Sequence, residues 1–171
     1  MNHSHSNSTP VQSAMRRDQR PPAHTDDSYH APKRLKTATR CTTCGASYDD
    51  GRWTWHAASD DAKAQQCPAC KRTEDHAPAG ELVLSGAYLA RRRADILALL
   101  NHQADDETRE HPLERIMEID DGDAALTIRT TGVHLLRRLG KAMVRAHHGK
   151  LTLHYPDGEG MLRAEWHRAD A

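Results

Sequence analysis

The sequence predicts an α+β protein: a small unit organised around cysteines, then a larger one in which two amphipathic helices alternate with five short strands. Three observations support this. All four cysteines of the 171-residue chain fall as two pairs, Cys41-x-x-Cys44 and Cys67-x-x-Cys70. Beyond Gly80, apolar residues recur at three- and four-residue steps in two long stretches and alternate with polar ones in short stretches. Before Thr39 neither pattern exists, and Ser, His, Asn, Gln, Pro and Arg dominate.

Residues 1–38 are therefore expected to form a disordered basic tail. No apolar run precedes the cysteines, so no signal peptide is expected. Within the tail, Lys33, Arg34 and Lys36 form a basic cluster that reads either as a phosphate contact or as a solvated linker.

Residues 39–79 hold the cysteine pairs. A Cys-x-x-Cys turn brings two sulfurs to about one ligand spacing, and two such turns complete the four thiolates of a closed structural zinc site. The predicted ligands are Cys41, Cys44, Cys67 and Cys70, with zinc as the cofactor. Two disulfides or a redox-active pair are the competing meanings. Asp49-Asp50-Gly51 marks a turn, and Arg52-Trp53-Thr54-Trp55 alternates like a strand, so a short hairpin should leave the first pair. About forty residues bury too little to fold unaided, so metal and tryptophans are expected to supply the core. The tryptophans read as packing over the zinc turns or as base-stacking platforms. His56 lies between the pairs and reads as a surface residue, and Lys71 to Ala79 reads as a polar connector.

The second unit, 80–168, opens with a strand over Glu81–Leu84 and a helix from Gly86 to about Arg109, with Leu89, Arg93, Ile96, Leu97 and Leu100 on one face. A hairpin over 114–130 turns at Asp121-Gly122. Thr130 or Thr131 is expected to cap a second helix ending near His148-Gly149, with Leu136, Leu139, Gly140, Met143, Val144 and His147 as its buried stripe. Leu151, Leu153 and Tyr155, then Leu162, Ala164 and Trp166, alternate in two last strands. The first six elements, β-α-β-β-α-β, match a ferredoxin-like (split βαβ) two-layer domain, to which the last strand is extra.

Charge narrows the function classes. Lys plus Arg equals Asp plus Glu at 24 each, so the chain as a whole is no electrostatic trap for nucleic acid. Locally, Arg137, Lys141 and Arg145 follow at four-residue steps on the second helix, beside His134 and Arg138. That row can track phosphates, or it can be a solvated face paired with nearby acids. Arg91, Arg92 and Arg93 form a second basic cluster. The histidines of the second unit lack ligand spacing, and no phosphate loop, nucleophile elbow or His-Glu-x-x-His helix is present. A zinc closed by four thiolates has no open position for water, so no enzyme is expected and no catalytic residue is assigned. No stretch is apolar enough to cross a membrane.

With these residues placed, the chain resembles a group of small bacterial zinc-ribbon proteins. These are themselves similar to the ribosome-associated adaptor first named for nonsense-mediated mRNA decay. The resemblance rests on Cys41-x-x-Cys44-Gly45, on Cys67-Pro68-x-Cys70-x-Arg72, and on Leu126-Thr127-Ile128-Arg129-Thr130-Thr131 followed by His134-Leu135. It spans most of residues 40–168 for the bacterial group, and the cysteine region and the strand-to-helix step for the adaptor. That adaptor carries more Cys-x-x-Cys pairs than the single set here, so only the zinc ligands carry over. The combined expectation is a cytoplasmic, non-enzymatic zinc-binding protein engaging structured RNA or the ribosome. Its nucleic-acid contacts would be Arg137, Arg138, Lys141 and Arg145 with Lys33, Arg34 and Lys36. The alternative is a zinc-dependent adaptor with a protein partner, and after it a thiol redox sensor.

Overall fold

The computed structural model describes residues 29, 35, 37–155 and 160–170. The expected tail contacts Lys33, Arg34 and Lys36 lie outside them. Among the described residues the fold is mixed α+β, with three helices and two sheets.

The first sheet is built from very short pieces, β1 (Thr39–Arg40), β2 (Ser47–Asp49), β3 (Arg52–Thr54) and β4 (Lys63–Ala64), in the order β3-β2-β1-β4. The predicted hairpin is β2–β3. Its turn residues Asp50 and Gly51 both have left-handed φ, 46° and 85°, the geometry that matches the twist of a two-residue hairpin. A helix, α1 (Pro68–Glu74), extends from the second cysteine pair into the first four residues of the predicted connector. Cys67 is its N-cap, its sulfur accepting from the Cys70 amide, and Pro68 sits where a helix tolerates proline best. The second knuckle is thus a helix start, and the helix simply runs on from it.

The second unit comprises β5 (Gly80–Ser85), α2 (Ala87–Glu110), β6 (Ile116–Asp121), β7 (Ala125–Thr130), α3 (Val133–His147), β8 (Lys150–His154) and β9 (Leu162–His167). The period-two pattern puts Leu82 and Leu84, Leu126 and Ile128, and Leu162, Ala164 and Trp166 on one fully buried face. Leu89, Ile96 and Leu100 of α2 and Leu135, Leu136, Leu139 and Met143 of α3 close the same core. The strand order is β6-β7-β5-β9-β8, so the extra strand lies inside the sheet, parallel to β5 and antiparallel to β8. Apolar content explains the placement. Three β9 side chains are fully buried, whereas Leu151 and Leu153 of β8 are only partly so, and the more buried strand takes the interior position while β8 takes the edge. Arg93, expected on the apolar face of α2, is half-buried and reaches the β6–β7 turn, bonding the Asp121 carboxylate and the carbonyls of Gly122 and Asp123.

The cap of α3 also differs from expectation. Gly132 is the N-cap and offers no side chain, while Thr131 Oγ1 donates to the Leu113 carbonyl and Thr130 Oγ1 to Gly132. The carboxylate of Glu114 takes over, accepting from the Leu135 amide at 2.8 Å. A negative group there also suits the positive end of the helix dipole. Any Cβ at position 132 would lie 2.1 Å from the Glu114 Oε2 and displace it. Glu114→Ala and Gly132→Ala should therefore each lower stability by about 0.5–2 kcal/mol. The double variant should be little less stable than either, because both remove one interaction. Urea midpoints test this, and additive losses would contradict it.

Candidate metal centre

Two unlike turns bring the four sulfurs together. Cys41 leaves β1, its amide donating to the Ala46 carbonyl at 2.7 Å, while the Gly45 amide donates back to Cys41 at 3.1 Å. Gly45 has φ +79° with nothing near its missing Cβ, so glycine serves the backbone conformation there and not the space. The parallel pairing of β1 with β4 then aligns the chain entering Cys67, with the Gln65 amide on the Arg40 carbonyl at 3.0 Å. Cys41, Cys67 and Cys70 are buried and Cys44 is half-exposed. Ala46, Ala69, Trp53 and Leu113 pack around them.

All four sulfurs lie within 4.8 Å of one another, and Cys44 Sγ is 3.8 Å from Cys67 Sγ. Four sulfurs each about 2.3 Å from a tetrahedral centre would stand about 3.8 Å apart, so the donor set fits one thiolate-bound metal ion. No disulfide links them. Among the described residues this is the one His, Cys, Asp or Glu cluster able to hold a metal. His56 stands outside it, and its carbonyl accepts from Ser47 Oγ.

Electrostatics point the same way. Burial pushes the Cys67 thiol up, against the opposing Cys70 amide, and burial likewise raises Cys70 against the pull of the Arg115 guanidinium. At Cys41 burial also pushes upward but is outweighed by the amides of Cys44, Cys67 and Thr43, which bring the thiol down to about 6. Buried thiols such as those of Cys67 and Cys70 resist ionising unless positive charge joins them, and a metal cation at the centre of the cluster supplies it.

One cation of the protein already touches the sulfurs, and the sequence did not mark it. Arg115 Nη2 donates to Cys44 Sγ and Cys67 Sγ, both at 3.3 Å, and Nη1 to Cys70 Sγ at 3.5 Å. Burial disfavours its charge, but the sulfurs of Cys70 and Cys44 outweigh this and hold it protonated. Trp55 stands beside it, its ring centroid 5.8 Å from the guanidinium carbon and its Nε1 donating to the Thr108 carbonyl at 2.7 Å. Trp53 meets Tyr48 edge-on and packs on the cysteines. Both tryptophans are thus engaged within the protein. A lone arginine ahead of a strand carries no spacing signal toward cysteines 45 to 71 positions away.

The α3 row lies elsewhere. His134, Arg137, Lys141 and Arg145 border a shallow groove of about 380 Å³ with Gln103 and Arg138. Arg138 is committed to α2, bonding Gln103 at 3.0 Å and Glu107 at 2.6 Å. Arg137 lies over the Tyr155 ring at 5.8 Å, and among the described residues no acid pairs with Arg137, Lys141 or Arg145. Of the other basic cluster, Arg92 pairs with Asp95 and Arg93 holds the β6–β7 turn. The histidines are dispersed: His147 meets the Tyr88 hydroxyl, His154 meets Glu165, and His167 meets Ser85.

No protein-family model, curated protein or solved structure matches the chain. Among the described residues no helix is long and apolar enough to cross a membrane.

Since the cysteine unit has little core beyond the cluster, stripping the metal or replacing Cys67 with Ser should abolish amide protection in β1–β4 and α1. Protection should persist in β5, β7 and β9, whose core is separate. Hydrogen exchange read by mass spectrometry checks this, and equal protection with and without metal would contradict it.

Proposed function

We propose that this chain is a non-enzymatic, cytoplasmic zinc protein whose α3 face engages the phosphate backbone of structured RNA, including that of the ribosome. Zinc is favoured as the metal because four soft thiolates in tetrahedral array suit it, and a site closed by four protein ligands serves folding and leaves no position for a reacting water.

The observation that carries the RNA reading is the row Arg137, Lys141 and Arg145. These cations line a groove on the outer side of α3 and have no acidic partner among the described residues. A merely solvated face would resemble Arg138, whose charge is met by Glu107 and Asp106. The opposite surface of the protein is unlike this. On the open sheet face Arg129 bridges Glu81 and Glu118, and Arg163 also approaches Glu81. Such a balanced surface would repel phosphate as much as attract it, and it favours a protein partner as the second reading.

Fluorescence anisotropy with a labelled RNA hairpin, repeated across salt concentrations, tests the first reading. The triple variant Arg137→Ala, Lys141→Ala, Arg145→Ala should bind more weakly. The slope of log affinity against log salt should become shallower by about 2 to 3, roughly 0.7–0.9 for each phosphate that the variant no longer neutralises. An unchanged slope would contradict the assignment and favour the protein-partner reading.

A further inference from the structure

We propose that Arg115 is a built-in part of the metal centre: it clamps the thiolates of Cys44 and Cys70 and makes metal affinity depend on the α+β unit that carries it. This rests on the metal-site reading above and is independent of the RNA reading.

The donors to each sulfur divide unequally. Cys41 Sγ receives the amides of Cys44 at 3.5 Å and Cys67 at 3.2 Å, and Cys67 Sγ receives the Cys70 amide at 3.5 Å. Those donors belong to the cysteine unit itself. Cys44 and Cys70, the second cysteine of each pair, receive the guanidinium of Arg115, which also donates to Cys67 Sγ. A divalent ion bound by four thiolates carries a net charge of about −2, and a fixed cation in contact with three of the sulfurs offsets part of it.

The guanidinium and the backbone that carries it are anchored apart from the sulfurs. Its Nε donates to the Pro112 carbonyl at 2.5 Å, and the Arg115 amide donates to Thr131 Oγ1 at 2.8 Å. The Arg115 carbonyl accepts from the Thr131 amide at 2.9 Å. These anchors lie in the α+β unit, so the clamp reaches the sulfurs only while the two units are docked. The planar fork matters as well: two nitrogens reach three sulfurs, which the point-like ammonium of lysine does less well.

Contact between the units alone could produce the same hydrogen bonds as a by-product, and Trp55 separates the two cases. Its indole joins the units through the Thr108 carbonyl without bonding any sulfur. The test is competition for Zn²⁺ between a chromophoric chelator and the full chain, in wild type, Arg115→Ala, Arg115→Lys and Trp55→Leu. Arg115→Ala should lower zinc affinity by about 10- to 100-fold, with Arg115→Lys intermediate and Trp55→Leu, whose ring borders the guanidinium but bonds no sulfur, losing clearly less than Arg115→Ala. With Co²⁺ in place of zinc, the sulfur-to-metal charge-transfer bands should shift in Arg115→Ala and not in Trp55→Leu. Wild-type affinity in Arg115→Ala, or an equal loss in Trp55→Leu, would overturn the proposal. If Arg115→Ala does not fold, wild-type affinity in Arg115→Lys would overturn it. A wild-type chain that binds no zinc would instead refute the metal reading itself.

Discussion

The convergence of four sulfurs into a space 4.8 Å across is the constraint on which the first half of the structure depends. Around them the chain makes strands of only two or three residues, too short to persist through backbone pairing alone. The apolar contribution is a few small residues and Trp53. Burial makes the thiols of Cys67 and Cys70 resist ionisation, and thiolates so close repel one another until a cation is placed among them. The same burial that excludes water from the cluster thus makes metal the condition for the local fold.

The α+β unit has no such dependence, since its helices and sheet share a continuous apolar core. Beside the Trp55 bond to Thr108, its link to the cysteines runs through the segment between α2 and β6. There Leu113 packs on the cluster, Glu114 caps α3, and Arg115 holds the sulfurs. Three consecutive residues therefore tie the metal centre to the start of the helix that bears the basic row. Thr131 fixes that segment by bonding the carbonyl of Leu113 and the amide of Arg115. The orientation of α3 relative to the cysteine cluster follows from these contacts.

Much of this was legible from spacing. The cysteine pairs announced a metal-competent cluster, the Asp-Gly turn announced its hairpin, and periodicity located β5, α2, β6, β7, α3, β8 and β9 to within a few residues. What escaped were features without a period. Helix α1 went unseen because a knuckle cysteine doubles as an N-cap, a role usually sought in Ser, Thr, Asp or Asn. The α3 cap came from Glu114, distant in sequence from the position where a capping residue is sought. The interior place of β9 depends on competition among strands for the core, which no single strand encodes. Arg115 escaped most completely, because its meaning lies wholly in what the fold places opposite it.

X-ray absorption at the zinc edge on the purified protein tests the central claim most directly. Four sulfur scatterers at about 2.3 Å and no nitrogen or oxygen neighbour are the result expected of a single ion held by Cys41, Cys44, Cys67 and Cys70. A shell containing nitrogen or oxygen, or metal-free protein whose cysteines are paired as disulfides, would contradict it.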